Sequence, residues 1–203
     1  MKRIAFAAAL ATQAALLSSP SLADDLMPLE RGQVFTFQRT DDDGLNERFH
    51  YVAAREFVEP CNGKTYRLGF VGNGQGIEPF PLRSTTTKLY ALQSDSCTER
   101  LLWQDARVGT SWSYDDEDGQ PIYVTIEAVD ETVTVPAGTF HGAIKFRLTK
   151  PAWGSDWAEW IQPGFFMLKM EDYSEPPYVV EELAEFRRLG RGADSFEAFL
   201  ETK

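Results

Sequence analysis

Histidine and cysteine are almost missing from this chain, with two of each in 203 residues. The histidines, His50 and His141, have no companion at metal-ligand spacing, whereas zinc sites draw on three or four protein ligands. No metal centre and no cofactor are therefore expected. There is no G-x-S-x-G motif, and neither histidine has a local serine partner, so triad-type hydrolysis has no sequence support and a non-enzymatic protein is expected. Positive charge is also short: 20 Lys and Arg stand against 31 Asp and Glu, for a net charge of −11. A surplus of that sign repels phosphate backbones and anionic membrane surfaces, so nucleic acid is not an expected partner.

Long hydrophobic runs are lacking beyond the first 23 residues, and those have the parts of a secretory signal: Lys2 and Arg3, an apolar stretch, then Ser21 and Ala23 before a cut at Asp24. The stretch "IAFAAALATQAALL" is too short for a membrane anchor. No transmembrane segment is expected once 1–23 is removed, and no cysteine follows the cut to carry a lipid. A periplasmic or secreted location follows. Removal takes away Lys2 and Arg3 and no acid, so the charge of −11 becomes −13. Residues 24–203 fit a single domain with a real core.

In an exported protein, Cys61 and Cys97 most simply pair, since neither lies in a C-x-x-C. Such a bridge closes a loop of roughly 37 residues, for which the chain-entropy model gives about 4 kcal/mol before strain.

Period-two alternation dominates what remains. Phe140, Ile144, Phe146 and Leu148 alternate with His141, Lys145 and Arg147. Ile122, Val124, Ile126 and Ala128 alternate with Tyr123, Thr125 and Glu127, and Tyr66, Leu68 and Phe70 with Thr65 and Arg67. Each is read as a half-buried strand with the first-named set on the core face. Weaker candidates begin at 33, 47, 85, 99, 110, 156 and 165, with Asp43-Gly44, Asn62-Gly63, Asp118-Gly119 and Pro163-Gly164 as turn signals between strands. The fold class is mainly β: a curved antiparallel sheet, sandwich or incomplete β-barrel of roughly ten to twelve strands. A short C-terminal helix is expected around Asp194 to Leu200, where Asp194 and Glu197 have capping-box spacing. The segment "YVVEELAEF" suits helix or strand by period, and strand is preferred.

Within "VTVPAGTF", residues 133–140, Pro136 cannot donate to a ladder and marks a strand end, while Gly138 can take the positive φ of a tight reversal. The stretch reads as a structural turn. Pro163 and Gly164 form a second one.

These residues also carry a resemblance. "ETVTVPAGTFHGAIKF", then "EWIQPGFFMLKME" and "VVEELAEF", resemble a family of exported bacterial β-rich domains of unknown function, with a VPAGTF hairpin and a W-x-x-P-G turn. The match covers about 108–187. Where that family has P-G-x-G, this chain has Pro163-Gly164-Phe165-Phe166. The resemblance implies a strongly curved antiparallel sheet, similar in architecture to the periplasmic lipoprotein carriers, and brings no catalytic residues with it.

Two acidic runs, "DDDG" at 41 and "DDEDG" at 115, raise calcium. Aligning each glycine to the sixth loop position puts Arg39 or Tyr114 first and His50 or Thr125 twelfth, where acids are required, so the EF-hand pattern fails. A looser surface site and a solvated hairpin tip stay open. Trp153, Trp157 and Trp160 fall within eight residues and either fill a curved sheet or line a ligand cleft. The expected function is binding of an apolar or amphipathic small molecule in the concavity. The alternatives are an envelope protein that pairs with a partner through an open sheet edge, and, with no motif behind it, an envelope hydrolase.

Overall fold

The structure, a computed structural model, describes residues 25–73, 76–93, 96–174 and 178–189. The expected signal peptide and C-terminal helix lie outside the described residues. Twelve strands run in chain order: β1 (Gln33–Asp41), β2 (Asn46–Val58), β3 (Thr65–Asn73), β4 (Gly76–Ser84), β5 (Lys88–Gln93), β6 (Thr98–Gln104), β7 (Ser111–Asp115), β8 (Pro121–Val135), β9 (Gly138–Lys150), β10 (Ser155–Ile161), β11 (Met167–Asp172) and β12 (Val179–Arg188). Helix among the described residues is one 3-10 turn at Pro151–Trp153.

All twelve strands belong to one antiparallel sheet in the order β6-β5-β4-β3-β2-β1-β12-β11-β10-β9-β8-β7. Every neighbour is a chain neighbour except β1 and β12, which pair from Gln33 with Arg188 to Asp41 with Val179. This first-to-last pairing moves the sheet's edges to β6 and β7, and β7 follows β6 in the chain. A nearly closed barrel results. At the seam the indole N–H of Trp112 on β7 donates to the carbonyl of Leu101 on β6 at 2.8 Å.

Antiparallel order places the β2–β3, β4–β5, β6–β7, β8–β9 and β10–β11 connections at one end of the barrel, and that end is closed. Residues 25–32 cross it. Leu26 donates to the Thr85 carbonyl and accepts from Gly164 N–H, Met27 N–H donates to Ser84 Oγ, and Gly32 N–H donates to the Ala53 carbonyl. Leu26, Met27 and Leu29 are buried in the core. The β8–β9 hairpin folds toward the same end: its ladder is interrupted between Ile126 and Thr132, and Ala137 N–H at its tip donates to the Leu183 carbonyl of β12 at 3.0 Å. Phe140 stacks on Phe165, and Phe166 on Phe35 with ring centroids 4.1 Å apart. The two phenylalanines after Pro163-Gly164 thus supply closing mass, and burying side chains such as Phe35, Phe37 and Phe166 is worth roughly 1.5–3 kcal/mol each.

On β8 and β9 the observed faces are the expected ones except at Ala128, which the ladder interruption after Ile126 sets opposite the polar-face Lys145 and not on the core face. Ile122, Val124, Ile126, Ile144, Phe146 and Leu148 are buried, while His141 is exposed. Val135 pairs with Gly138 around Pro136-Ala137, and Gly138 has φ +140°. The segment "YVVEELAEF" is strand from 179 to 186, within β12. All four turn signals lie between strands.

Strand β3 corrects the expected register. Val71 pairs with Tyr51 and packs in the core, and Gly69 pairs with Ala53, which is also core. Tyr66, Leu68 and Phe70 therefore face outward. Tyr66 is nonetheless fully buried, by outer-face contacts: Phe57 stacks on it, Asn62 donates to its hydroxyl, and the hydroxyl donates to Glu99 at 2.9 Å. Burial alone would raise Glu99, but hydrogen bonds from Arg83, Lys64 and Tyr66 outweigh it and hold the carboxyl at about 2. That contribution to stability is lost as pH falls toward 2. Beside this cluster Cys61 and Cys97 are bridged, with Cα atoms 6.2 Å apart, strapping the β2–β3 turn to the β5–β6 turn across three strands.

Strand β4 is not among the sequence candidates, and it carries Pro79 and Pro81, residues that disfavour an interior strand. Both prolines stand opposite β3 residues, while β5 pairs only with Leu82, Arg83 and Ser84. The missing N–H groups thus fall where β4 has a ladder on one side alone.

Candidate functional site

Inside the barrel is a cavity of about 240 Å³. Its wall is almost wholly apolar and includes Phe37 (β1), Phe49 and Tyr51 (β2), Leu82 (β4), Trp103 (β6) and Phe166. Phe80 both lines it and is itself 38% exposed, so the cavity reaches the surface beside β4.

Polar atoms of Glu159, Tyr51, Tyr114 and Trp103 break this lining, and two of these groups matter most. One is Glu159 on β10. It stands opposite Phe146 of β9, and Trp157 opposite Leu148, so the alternation that turns Phe146 and Leu148 inward turns Glu159 and Trp157 inward as well. Its carboxylate is held by two indoles: Trp103 Nε1 donates to Oε2 at 2.6 Å and Trp157 Nε1 to Oε1 at 3.0 Å. Burial pushes this carboxyl above its ordinary value, against the two indole donors, which favour the charged form. Among the described residues no Lys or Arg forms an ion pair with it.

The other group is Tyr51. Only 3% of the residue is exposed, and its hydroxyl has no hydrogen-bond partner among the described residues. The ring lies over Gly69, where an added Cβ would stand 2.1 Å from the hydroxyl oxygen. Burial raises this phenol strongly, so it stays a neutral donor.

Beyond Glu159, toward the end opposite the plug, the interior turns acidic. Asp172 stands opposite Trp157, and Glu181 of β12 opposite Arg39 of β1. Burial pushes Glu181 up to about 7; Arg39, 3.8 Å away, works against this, and Glu159 and Asp172 add to it. The interior thus runs from a phenylalanine-packed closed end through an apolar cavity to a group of three carboxylates with one arginine beside it.

The tryptophans from the sequence are placed differently from one another. Trp153 is 65% exposed on the β9–β10 turn, with Lys150 Nζ 3.6 Å from its ring centre. Trp160 lies on the outer face between Lys145 and Lys169, and donates to Glu131 Oε2 at 2.6 Å. Trp157 turns inward and reaches the cavity through Glu159. The cavity's own tryptophan is Trp103. The signal for Glu159 was present in "DWAEWI": an acid at the step between Trp157 and Ile161 in a period-two run sits on the apolar face. Nothing local marked Tyr51, Trp103 or Glu181, which meet Glu159 or the cavity from distant strands.

The remaining candidates have local partners. His50 Nδ1 is 3.0 Å from Thr36 Oγ1, and His141 Nδ1 is 3.0 Å from Thr132 Oγ1. In the second acidic run Asp116 accepts from the N–H groups of Asp118 and Gln120 and pairs with Lys150, which makes it part of the β7–β8 turn. The first run closes the β1–β2 turn, with Asp41 accepting from Leu45 N–H.

No protein-family model matches this chain, and no curated protein matches it in sequence. Among solved structures, it is similar to a protein of Bacteroides fragilis assigned as exported and as having a YmcC-like fold. The two are 14% identical with a TM-score of 0.55, over 81% of this chain and 100% of that one. A protein of Parabacteroides distasonis assigned as a lipoprotein is 15% identical with a TM-score of 0.51, over 81% of this chain and 99% of the other. At these identities the likeness is one of fold.

Proposed function

We propose that this chain is an exported protein, periplasmic or secreted, that holds an apolar or amphipathic small molecule inside its barrel and carries out no chemistry on it. The observation behind the reading is the cavity. At about 240 Å³ it exceeds the roughly 150 Å³ that suffices to bind benzene in an apolar protein interior. Export is supported by the signal pattern at 1–23, by the Cys61–Cys97 bridge, and by the exported and lipoprotein assignments of the two proteins that share the fold.

An envelope protein that pairs through a sheet edge is the second reading, favoured by the two unjoined edges β6 and β7. Those edges face one another, however, and Trp112 already spans them, which leaves little room for a partner strand. The cavity reading is therefore preferred.

Titration of the mature protein with an apolar fluorescent probe tests it. Binding at micromolar concentration, with quenching of tryptophan emission and a rise in melting temperature by mass action, is the expected result. If a panel of neutral, cationic and anionic apolar molecules changes neither emission nor melting temperature, the reading fails and the edge-pairing reading replaces it.

A further inference from the structure

The cavity's polar groups say which head group its ligand carries, an inference that rests on the binding reading above. A carboxylate offers about four acceptor positions, and a cation beside Glu159 would favour the ionised form that burial disfavours there. At Glu159 the indoles of Trp103 and Trp157 take one on each oxygen, and no cation among the described residues takes the others. Nearby stand the carboxyls of Asp172 and Glu181, with the Arg39 guanidinium beside Glu181 and Arg100 acting on Tyr114. The lining is also rich in aromatic rings, among them Phe37, Phe49, Tyr114 and Trp103, and the faces of such rings attract cations. An anionic head placed here meets like charge in a poorly screened interior. An ammonium head meets open acceptors and aromatic faces.

We propose that the cavity is a site for an amphipathic amine, with its alkyl chain among Phe37, Tyr51, Leu82 and Phe166 and its ammonium group at Glu159, and that it discriminates against fatty-acid carboxylates. The chain direction follows from the interior's polarity, apolar toward the plug and acidic away from it. The indoles fix the Glu159 carboxylate in place before the ligand arrives, so little ordering cost falls on binding.

Three probes of equal chain length separate this proposal from the reading on which it rests: decylamine, 1-decanol and decanoate, each titrated into the full mature protein by displacement of an apolar fluorescent probe. The expected order is decylamine, then decanol, then decanoate, with decylamine at least about tenfold tighter than decanoate, the scale of a charge-assisted hydrogen bond. Decanoate binding as tightly as decylamine would overturn the amine proposal and leave the cavity reading intact. Failure of all three would overturn both. Glu159→Gln, checked for an unchanged near-UV circular dichroism spectrum, should bring decylamine to within about threefold of decanol while leaving decanol itself within that range. Retention of the full amine preference in that variant overturns the assignment to Glu159. The ordering in the unaltered protein decides the question even if the variant fails to fold.

Discussion

Single side chains in the interior are set by what lies opposite them. Gly69 is glycine because the Tyr51 ring occupies the space a Cβ would need; its backbone has no positive φ, so the constraint is contact alone. Gly69→Ala should cost about 2 kcal/mol or more, and much of this should return in a Gly69→Ala, Tyr51→Ala pair relative to Tyr51→Ala alone, measured as a double-mutant cycle in urea. Additive losses would show that the two residues do not compete for the same space. Glu181 gives a pH signature. Its carboxyl lies at about 7 in the folded chain against an ordinary 4.5, so between those values the folded state holds a proton that the unfolded chain has released. Stability from this group is complete below about 4.5 and is lost as pH rises through 7. Glu181→Gln removes the slope. The variant should match the parent near pH 4 and exceed it near pH 8 by up to roughly 3 kcal/mol, less whatever Arg39 loses with its partner. A difference that stays flat across that range, followed by thermal melts, would exclude burial of Glu181 as the cause.

Among the elements, the β8–β9 hairpin shows how local chemistry and tertiary contact divide the work. The reversal is written into Pro136 and Gly138. Gly138 has φ +140° and open space where a side chain would project, so a substitution there is penalised by the backbone rather than by a clash. Gly138→Val should lose about 1–3 kcal/mol, and His141→Ala, at an exposed site beside Thr132 Oγ1, under about 0.5 kcal/mol, by chemical denaturation. Equal losses would mean that the turn is held by packing and not by its φ. Where the hairpin tip goes is a different matter. Its docking on Leu183 and the Phe140–Phe165 stack depend on partners 46 and 25 residues along the chain and on a bend between Ile126 and Thr132, where Asp130 has φ +58°.

Across the whole molecule, closure depends on two links between distant parts of the chain, the β1–β12 ladder and the plug of residues 25–32, and the disulfide adds a strap within the β2–β6 run. The disulfide straps strands that are already consecutive, so the fold should survive its loss at lower stability. Reduction or Cys97→Ser should lower the melting temperature by the equivalent of up to about 4 kcal/mol, the entropy of the closed loop, without changing the far-ultraviolet circular dichroism. Collapse of the β signal on reduction would mean that the bridge defines the barrel rather than trimming its unfolded state.

The residue pattern alone determined that the chain is β-rich, where most strands and their turns fall, and that its two cysteines pair. Those properties depend on period-two burial, on proline and glycine backbone limits and on cysteine count, all of which act within a few residues. Barrel closure, the inward side of β3 and the existence of β4 were decided by tertiary structure. In a barrel both faces of a strand can be buried, so Tyr66 on the outside looks in sequence like a core residue, and the prolines of β4 are tolerated only because β5 pairs with the end beyond them. The candidate site belongs to the second class almost entirely. Trp103, Trp157 and Glu159 come within hydrogen-bonding distance across 56 residues of chain because β6 and β10 face each other across the barrel interior, and no local rule specifies which strands a closed sheet will set opposite one another.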